Sequence, residues 1–218
     1  KRSARLSTSS DRPIPREGIQ NIRGHMVATG ETLSEDGIFI ASNESVYGPG
    51  AVAREAVITS ATSVERYPDN GPVRLASSIG ARFSIDPKKI CCGFGSDDLL
   101  ARLARAYLSP GDELIYTAHG YPKIPNYAHA NDAVPVAATD RDFTADVDAI
   151  LDRVTERTRL VMLANPDNPA GTYVSGAEIR RLHAGLSPRI LLVLDSAYTE
   201  YVQAEDYEDP IGLIESAD

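Results

Sequence analysis

Leu160-Val161-Met162-Leu163-Ala164-Asn165-Pro166-Asp167-Asn168-Pro169-Ala170-Gly171-Thr172 is the stretch on which the fold turns. A run of branched apolar residues breaks into a proline-rich polar turn, the pattern of a buried strand that ends in a loop. The pattern returns at Ile190-Leu191-Leu192-Val193-Leu194, which closes on Asp195-Ser196-Ala197-Tyr198. Strands that are apolar throughout belong to parallel sheets covered on both faces. Such sheets hold their ligands beyond the carboxyl ends of the strands, so both polar turns are candidate ligand loops.

Working outward, strands and helices alternate. Strands are expected over Lys89 to Cys92, Glu113 to Thr117, Ala133 to Ala137, Arg159 to Leu163 and Ile190 to Leu194. Between them helices are expected over Asp97 to Tyr107, part of Lys123 to Ala130, around Val147, Ile150, Leu151 and Val154, and over Gly176 to Leu186. This order predicts an α/β fold, a mostly parallel sheet with helices on both faces. Upstream, residues 11 to 35 read as an extended arm, Ile38 to Ala41 as a short strand, and Ala51 to Ser63 and Val73 to Phe83 as helices. The boundary falls near residue 70, with an arm and first helix over 1–70 and a sheet domain over 71–218.

Composition narrows the functional classes. A chain of 218 residues with 42% hydrophobic and 24% charged residues is long and apolar enough to bury a core. The net charge of −9 argues against a nucleic-acid surface, which needs clustered Lys and Arg. No apolar stretch has the length to span a membrane. The two cysteines, Cys91 and Cys92, are adjacent, read as buried strand residues, and suggest no disulfide framework. A reducing cytoplasm is the expectation. The four histidines show no metal-type spacing, and there is no Gly-x-Ser-x-Gly elbow. The acidic run Glu205 to Asp209 reads as a solvated face.

Several residues carry candidate chemistry. Gly93-Phe94-Gly95-Ser96-Asp97-Asp98 links a strand to a helix, where free N–H groups suit an anion; Ser96 and Asp97 equally suit helix capping. Asp195, directly after five apolar residues, is costly to bury without a partner. A protonated ring nitrogen would be such a partner, and capping the next segment is the alternative. Asn168 could donate to a ligand oxygen or brace its own loop. Tyr198 follows Asp195 by three residues and could reach the same ligand. Tyr121 follows a strand end, and its ring could stack on a flat ligand or pack into the core.

Taken in order, these motifs resemble the N-terminal and central part of the histidinol-phosphate aminotransferase family, enzymes of fold type I that use pyridoxal 5′-phosphate. Arg12-Pro13-Ile14-Pro15-Arg16-Glu17-Gly18-Ile19 resembles the arm of its bacterial branch, and Asn43-Glu44 with Gly48-Pro49 the substrate-side segment. Arg66-Tyr67-Pro68-Asp69 and the segments 155–165 and 178–201 are similar too. The resemblance implies pyridoxal 5′-phosphate as cofactor, a homodimer, and transfer of an amino group between glutamate and an imidazole-bearing phosphate ester in histidine biosynthesis. It implies that Ser96 and Asp97 lie at the cofactor phosphate and that Tyr121 stacks on the pyridine ring. Asn168 and Tyr198 would bond the 3′-oxygen, Asp195 the ring nitrogen, and Tyr67 the neighbouring subunit's cofactor. Asn43 would face the substrate.

The departures cluster near the substrate. The family usually has Asn at Asp167, Thr at Ala170 and Glu at Asp98, and Asn43-Glu44-Ser45-Val46 replaces its Asn-Glu-Asn-Pro. Pro122, Lys123 and Ile124 stand where it has small or apolar residues and an aromatic, and a tyrosine of the arm is replaced near His25. Its Schiff-base lysine comes beyond the point matching Asp218, so no catalytic lysine is assigned within this sequence. The expectation is an incomplete part of such an enzyme, inactive alone. A phospho-amino-acid decarboxylase of the same fold, and a truncated remnant that binds only the cofactor or a partner, are the alternatives.

Overall fold

The computed structural model describes residues 14–24, 42–68 and 71–214, and two compact units emerge within them. One combines residues up to Arg23 with those from Gly93 onward; the other runs from Gly24 to Cys92. The expected strand at 38–41 lies outside the described residues.

The larger unit begins with α1 (Glu17–Gln20) and continues through α4 (Ser96–Tyr107), after α2 (Ala51–Ser60) and α3 (Val73–Phe83) of the other unit. Then come β1 (Glu113–Thr117), α5 (Ile124–His129), β2 (Val134–Ala138), β3 (Asp140–Arg141), β4 (Thr144–Ala145), α6 (Val147–Leu151) and β5 (Thr158–Ala164). α7 (Gly176–Gly185), β6 (Leu191–Asp195) and α8 (Ile211–Ile214) complete it. β2, β1, β5 and β6 lie side by side in that order and all pair in parallel. This is the α/β architecture expected from the alternation.

Side-chain alternation splits the apolar strands between two cores. Leu114, Leu160, Met162 and Val193 join Leu100 and Ala104 of α4 and Ile124 and Ala128 of α5 on one face. Ile115, Val161 and Leu163 join Val147 and Ile150 of α6 and Ile179 and Leu182 of α7 on the other. The chain leaves β1 for α5 on the first face and leaves β5 for α7 on the second. Neighbouring strands whose exits diverge in this way open a crevice at their carboxyl ends, the usual ligand position of an open α/β sheet.

Three local expectations are corrected. Lys89 to Cys92 is no strand: Asp86 accepts a hydrogen bond from the Lys88 N–H at 2.9 Å, and Pro87 opens a 3-10 turn over Pro87–Lys89. Strand propensity without a pairing partner makes no strand, and Cys91 is exposed, with Cys92 half-buried. Within the arm, residues 17–20 form α1 rather than extended chain, because Asp132 accepts from the Gly18 N–H at 3.0 Å and pairs with Arg16. The hairpin of β3 and β4 has no sequence signal; its turn residues Asp142 and Phe143 both take positive φ, as a type I′ turn demands, without the usual glycine.

In the smaller unit, α2 continues into a 3-10 turn over Ala61–Ser63, and α3 spans Val73–Phe83 as the periodicity predicts. Tyr67 there is fully exposed, and Asn43 is exposed with a positive φ of 53°.

Candidate functional site

α4 begins where Gly95, at φ +84°, turns the chain into the helix. L-residues other than glycine seldom hold that conformation, so Gly95 is the cap position and no side chain caps it. Ser96 and Asp97 are therefore first-turn residues rather than caps. Asp98 reaches back instead, accepting from the Phe94 N–H at 2.9 Å and bonding Arg102 one turn on. The Phe94 bond, helped by Arg102, holds its carboxyl below the ordinary value.

Freed from capping, Asp97 turns toward the segment that follows β1. The Tyr121 hydroxyl donates to its Oδ1 at 3.0 Å, the Tyr127 hydroxyl donates to the same oxygen, and the Lys123 ammonium pairs with Oδ2. Burial pushes this carboxyl up, but the Lys123, Tyr127 and Tyr121 bonds outweigh it and hold it low. Burial, then the Asp97 carboxylate, raises both phenols, so they stay protonated donors. The Lys123 ammonium also lies 6.0 Å from the centre of the Tyr121 ring.

β5 and β6 end side by side. Ala164 pairs with Asp195, and the Asn165 N–H donates to the Asp195 carbonyl at 2.9 Å, so the two polar turns start from neighbouring points. The Asn165 side chain is buried. Its amide donates to the Val174 carbonyl at 3.1 Å and its oxygen accepts from the Val174 N–H at 2.8 Å, closing the loop between them. Within that loop Asp167 accepts from the Ala170 N–H at 3.0 Å, and its own N–H donates to the Thr172 carbonyl at 2.8 Å. Asn168, half-buried, sits at the loop's turn. Burial raises the Asp167 carboxyl, and the nearby charge of Asp140 adds to the rise.

The Asp195 carboxylate is half-buried and accepts from the Ala197 N–H at 3.2 Å. Both readings of this residue are thus compatible: it braces the turn after β6 and still has a second oxygen to offer. Among the described residues no Lys, Arg or His pairs with it. Burial pushes it above the ordinary carboxylate value, and the charge of Asp97 pushes it further. Leu100 of α4, Tyr121, Tyr127 and Val193 of β6 pack in one core, which sets the start of α4, the Tyr121 segment and the end of β6 on one face of the sheet. Tyr198 is half-buried beyond Asp195, its ring 6.4 Å from that of Tyr201. Asn43 and Tyr67 belong to the other unit.

Four residues here have contacts that the sequence reading did not assign. Asn165 was visible only as part of a turn motif. Tyr127 and Lys123 meet Asp97 across 30 and 26 residues, a separation no local pattern encodes. Ser196 has a buried hydroxyl with no partner among the described residues. The acidic run is also more than a solvated face. Asp206 accepts from the Tyr173 hydroxyl at 2.7 Å, Glu208 pairs with Arg180, and Tyr207 donates to the Asn165 carbonyl at 3.1 Å. Among the described residues no group of three or more His, Cys, Asp or Glu side chains could hold a metal ion, and no helix is long and apolar enough to cross a membrane.

The chain is 47% identical to the histidinol-phosphate aminotransferases of Paramagnetospirillum magneticum and Rhodospirillum centenum, over 94% and 93% of its length. It spans 57% and 56% of those relatives, a little over half of each. Among solved structures, the histidinol-phosphate aminotransferase of Sinorhizobium meliloti in complex with pyridoxal-5′-phosphate superposes with a TM-score of 0.74 at 28% identity, covering 78% of this chain and 46% of that one. The family model of aminotransferase class I and II matches residues 35–217, and the chain belongs to that family.

Proposed function

We propose that the protein carrying this chain is a pyridoxal 5′-phosphate-dependent aminotransferase that exchanges an amino group between histidinol phosphate and 2-oxoglutarate, as a cytoplasmic homodimer. The observation that carries the reading is Asp195: a half-buried carboxylate at the carboxyl end of β6, with no Lys, Arg or His paired to it among the described residues and within the influence of the Asp97 charge at the start of α4. The named relatives and the cofactor-bound neighbour support it. The residues fit the cofactor chemically. Asp195 can accept a hydrogen bond from a protonated ring nitrogen, and the orphaned Ser196 hydroxyl lies beside it in sequence.

In this reading each residue has one task. Asp195 holds the proton on the ring nitrogen by charge and hydrogen bond. Tyr121 covers one face of the ring and excludes water from it. Asn168 and Tyr198 donate to the ring's 3′-oxygen. Ser96 and Asp97 offer first-turn backbone N–H groups to the phosphate, where the helix dipole also favours an anion. Tyr67 serves the site of the second subunit, and Asn43 the substrate. Bound there, the cofactor supplies an electron sink that the protein's own side chains lack.

The test is cofactor titration of the whole protein followed by amino-transfer assays with histidinol phosphate and rival donors. Saturable binding, with histidinol phosphate the preferred donor, is expected. Binding with preference for another donor would overturn the substrate assignment, and no binding at all would overturn the cofactor assignment.

A further inference from the structure

Asp97 brings a negative charge to the start of α4, where the proposed function needs room for a phosphate, and that charge also reaches Asp195. Left alone it would oppose both tasks. The charged and titratable groups facing it are Tyr121 and Lys123 from the β1–α5 connection, Tyr127 from α5, and Asp195 from the end of β6. Of these Lys123 alone is a cation. Its ammonium holds Oδ2, which leaves Oδ1 to accept the two phenols.

We propose that Lys123 is a positioning residue of this site: its ammonium, held on Oδ2, balances part of the Asp97 charge while Oδ1 pins the Tyr121 phenol, so that less of that charge reaches Asp195 and the anion position. The inference deepens the proposed function and rests on it. Lys123 acts through Asp97 and Tyr121 and forms no bond with the cofactor. Its amine is kept protonated by the Asp97 bond, although burial opposes this, and a protonated amine is no nucleophile. Its ion pair with Asp97 thus suits charge balance rather than covalent chemistry for Lys123.

Two readouts separate this role from simple bracing. The first is the titration of the Asp195 carboxyl, followed by carbon NMR of aspartate-labelled, cofactor-free protein and assigned with D195N. In K123M the Asp195 midpoint should move to higher pH, and K123R should restore it. The second is binding of pyridoxal 5′-phosphate against pyridoxal, measured by quenching of tyrosine fluorescence. K123M should weaken the phosphate ester about tenfold and pyridoxal less, a gap that a general loss of packing would not produce. An unmoved Asp195 midpoint in folded K123M, or equal weakening of both ligands without rescue by K123R, would overturn the inference. If the unaltered protein bound neither ligand while K123M still moved the Asp195 midpoint, the cofactor reading would fall and the charge coupling would stand.

Discussion

Asp195 is kept where a carboxylate is costly. It is half-buried at the end of an apolar strand, held by one backbone N–H, and pushed upward by both burial and Asp97. Sites that must receive a charged ligand often store this kind of instability, and relieving it trades function for stability. Asp195→Asn keeps the shape and an acceptor for Ala197 while removing the charge. At neutral pH the cofactor-free variant should be more stable by about 0.5–2 kcal/mol in thermal unfolding. Its affinity for pyridoxal 5′-phosphate should fall about 10- to 100-fold, as expected when a hydrogen bond between charged groups is lost. A variant less stable than the parent would show that the carboxylate is structural. Asn165 presents the opposite case. It is buried with both its amide nitrogen and its oxygen bonded, and Asn165→Ala would strand both polar groups of Val174. The cost should be roughly 2–4 kcal/mol in denaturant unfolding, with the loop over 165–174 losing hydrogen-exchange protection first.

Elements whose apolar pattern is local and whose partners are apolar were legible in the sequence, and those defined by a distant polar group were not. β1, β5 and β6 show their burial in runs such as Leu160 to Leu163, and α3 and α4 show a helical stripe. The strand ends also mark Asp195, Asn168 and Tyr121 as candidate ligand residues. Asp97 read as a cap because its sequence neighbourhood suits one; its actual partners arrive from α5 and the turn before it. α1 is the same kind of case, a single turn that exists because Asp132 and Arg16 meet. Its packing leaves no room at Gly18, where an added Cβ would lie 2.0 Å from the His129 carbonyl oxygen. Backbone cannot yield as a side-chain tip can, so Gly18→Ala should detach α1 from α5. Faster exchange of the amides of 17–20 with an unchanged core is the expected result, at a cost of roughly 1–2 kcal/mol. Protection equal to the parent's would mean that α1 does not depend on this close approach.

At the scale of the molecule, carboxylates pull stability in two directions as pH changes. Glu113, buried at the start of β1, is pushed up by burial but pulled lower still by Thr155, Arg157 and Thr158. Asp97 is held low in the same way by its three donors. A carboxyl whose folded value lies below its unfolded one stabilises the fold above the unfolded value, and loses that contribution as pH falls through the folded value. Asp195 and Asp167 are raised instead, so their contribution is present below the ordinary value of 3.8 and is lost as pH rises through their folded values. The two sets act in different windows. Lowering pH from neutrality first relieves Asp195 and Asp167, and only below the ordinary carboxylate range does it remove Glu113 and Asp97. Stability should therefore rise on mild acidification before it collapses. Unfolding midpoints measured in denaturant across this range should show the rise in the parent protein and lose most of it in the D167N/D195N double variant, while the acid collapse remains. A rise of equal size in the double variant would place its source in other groups, and a curve with no rise in the parent would mean that water reaches both carboxylates in the native state.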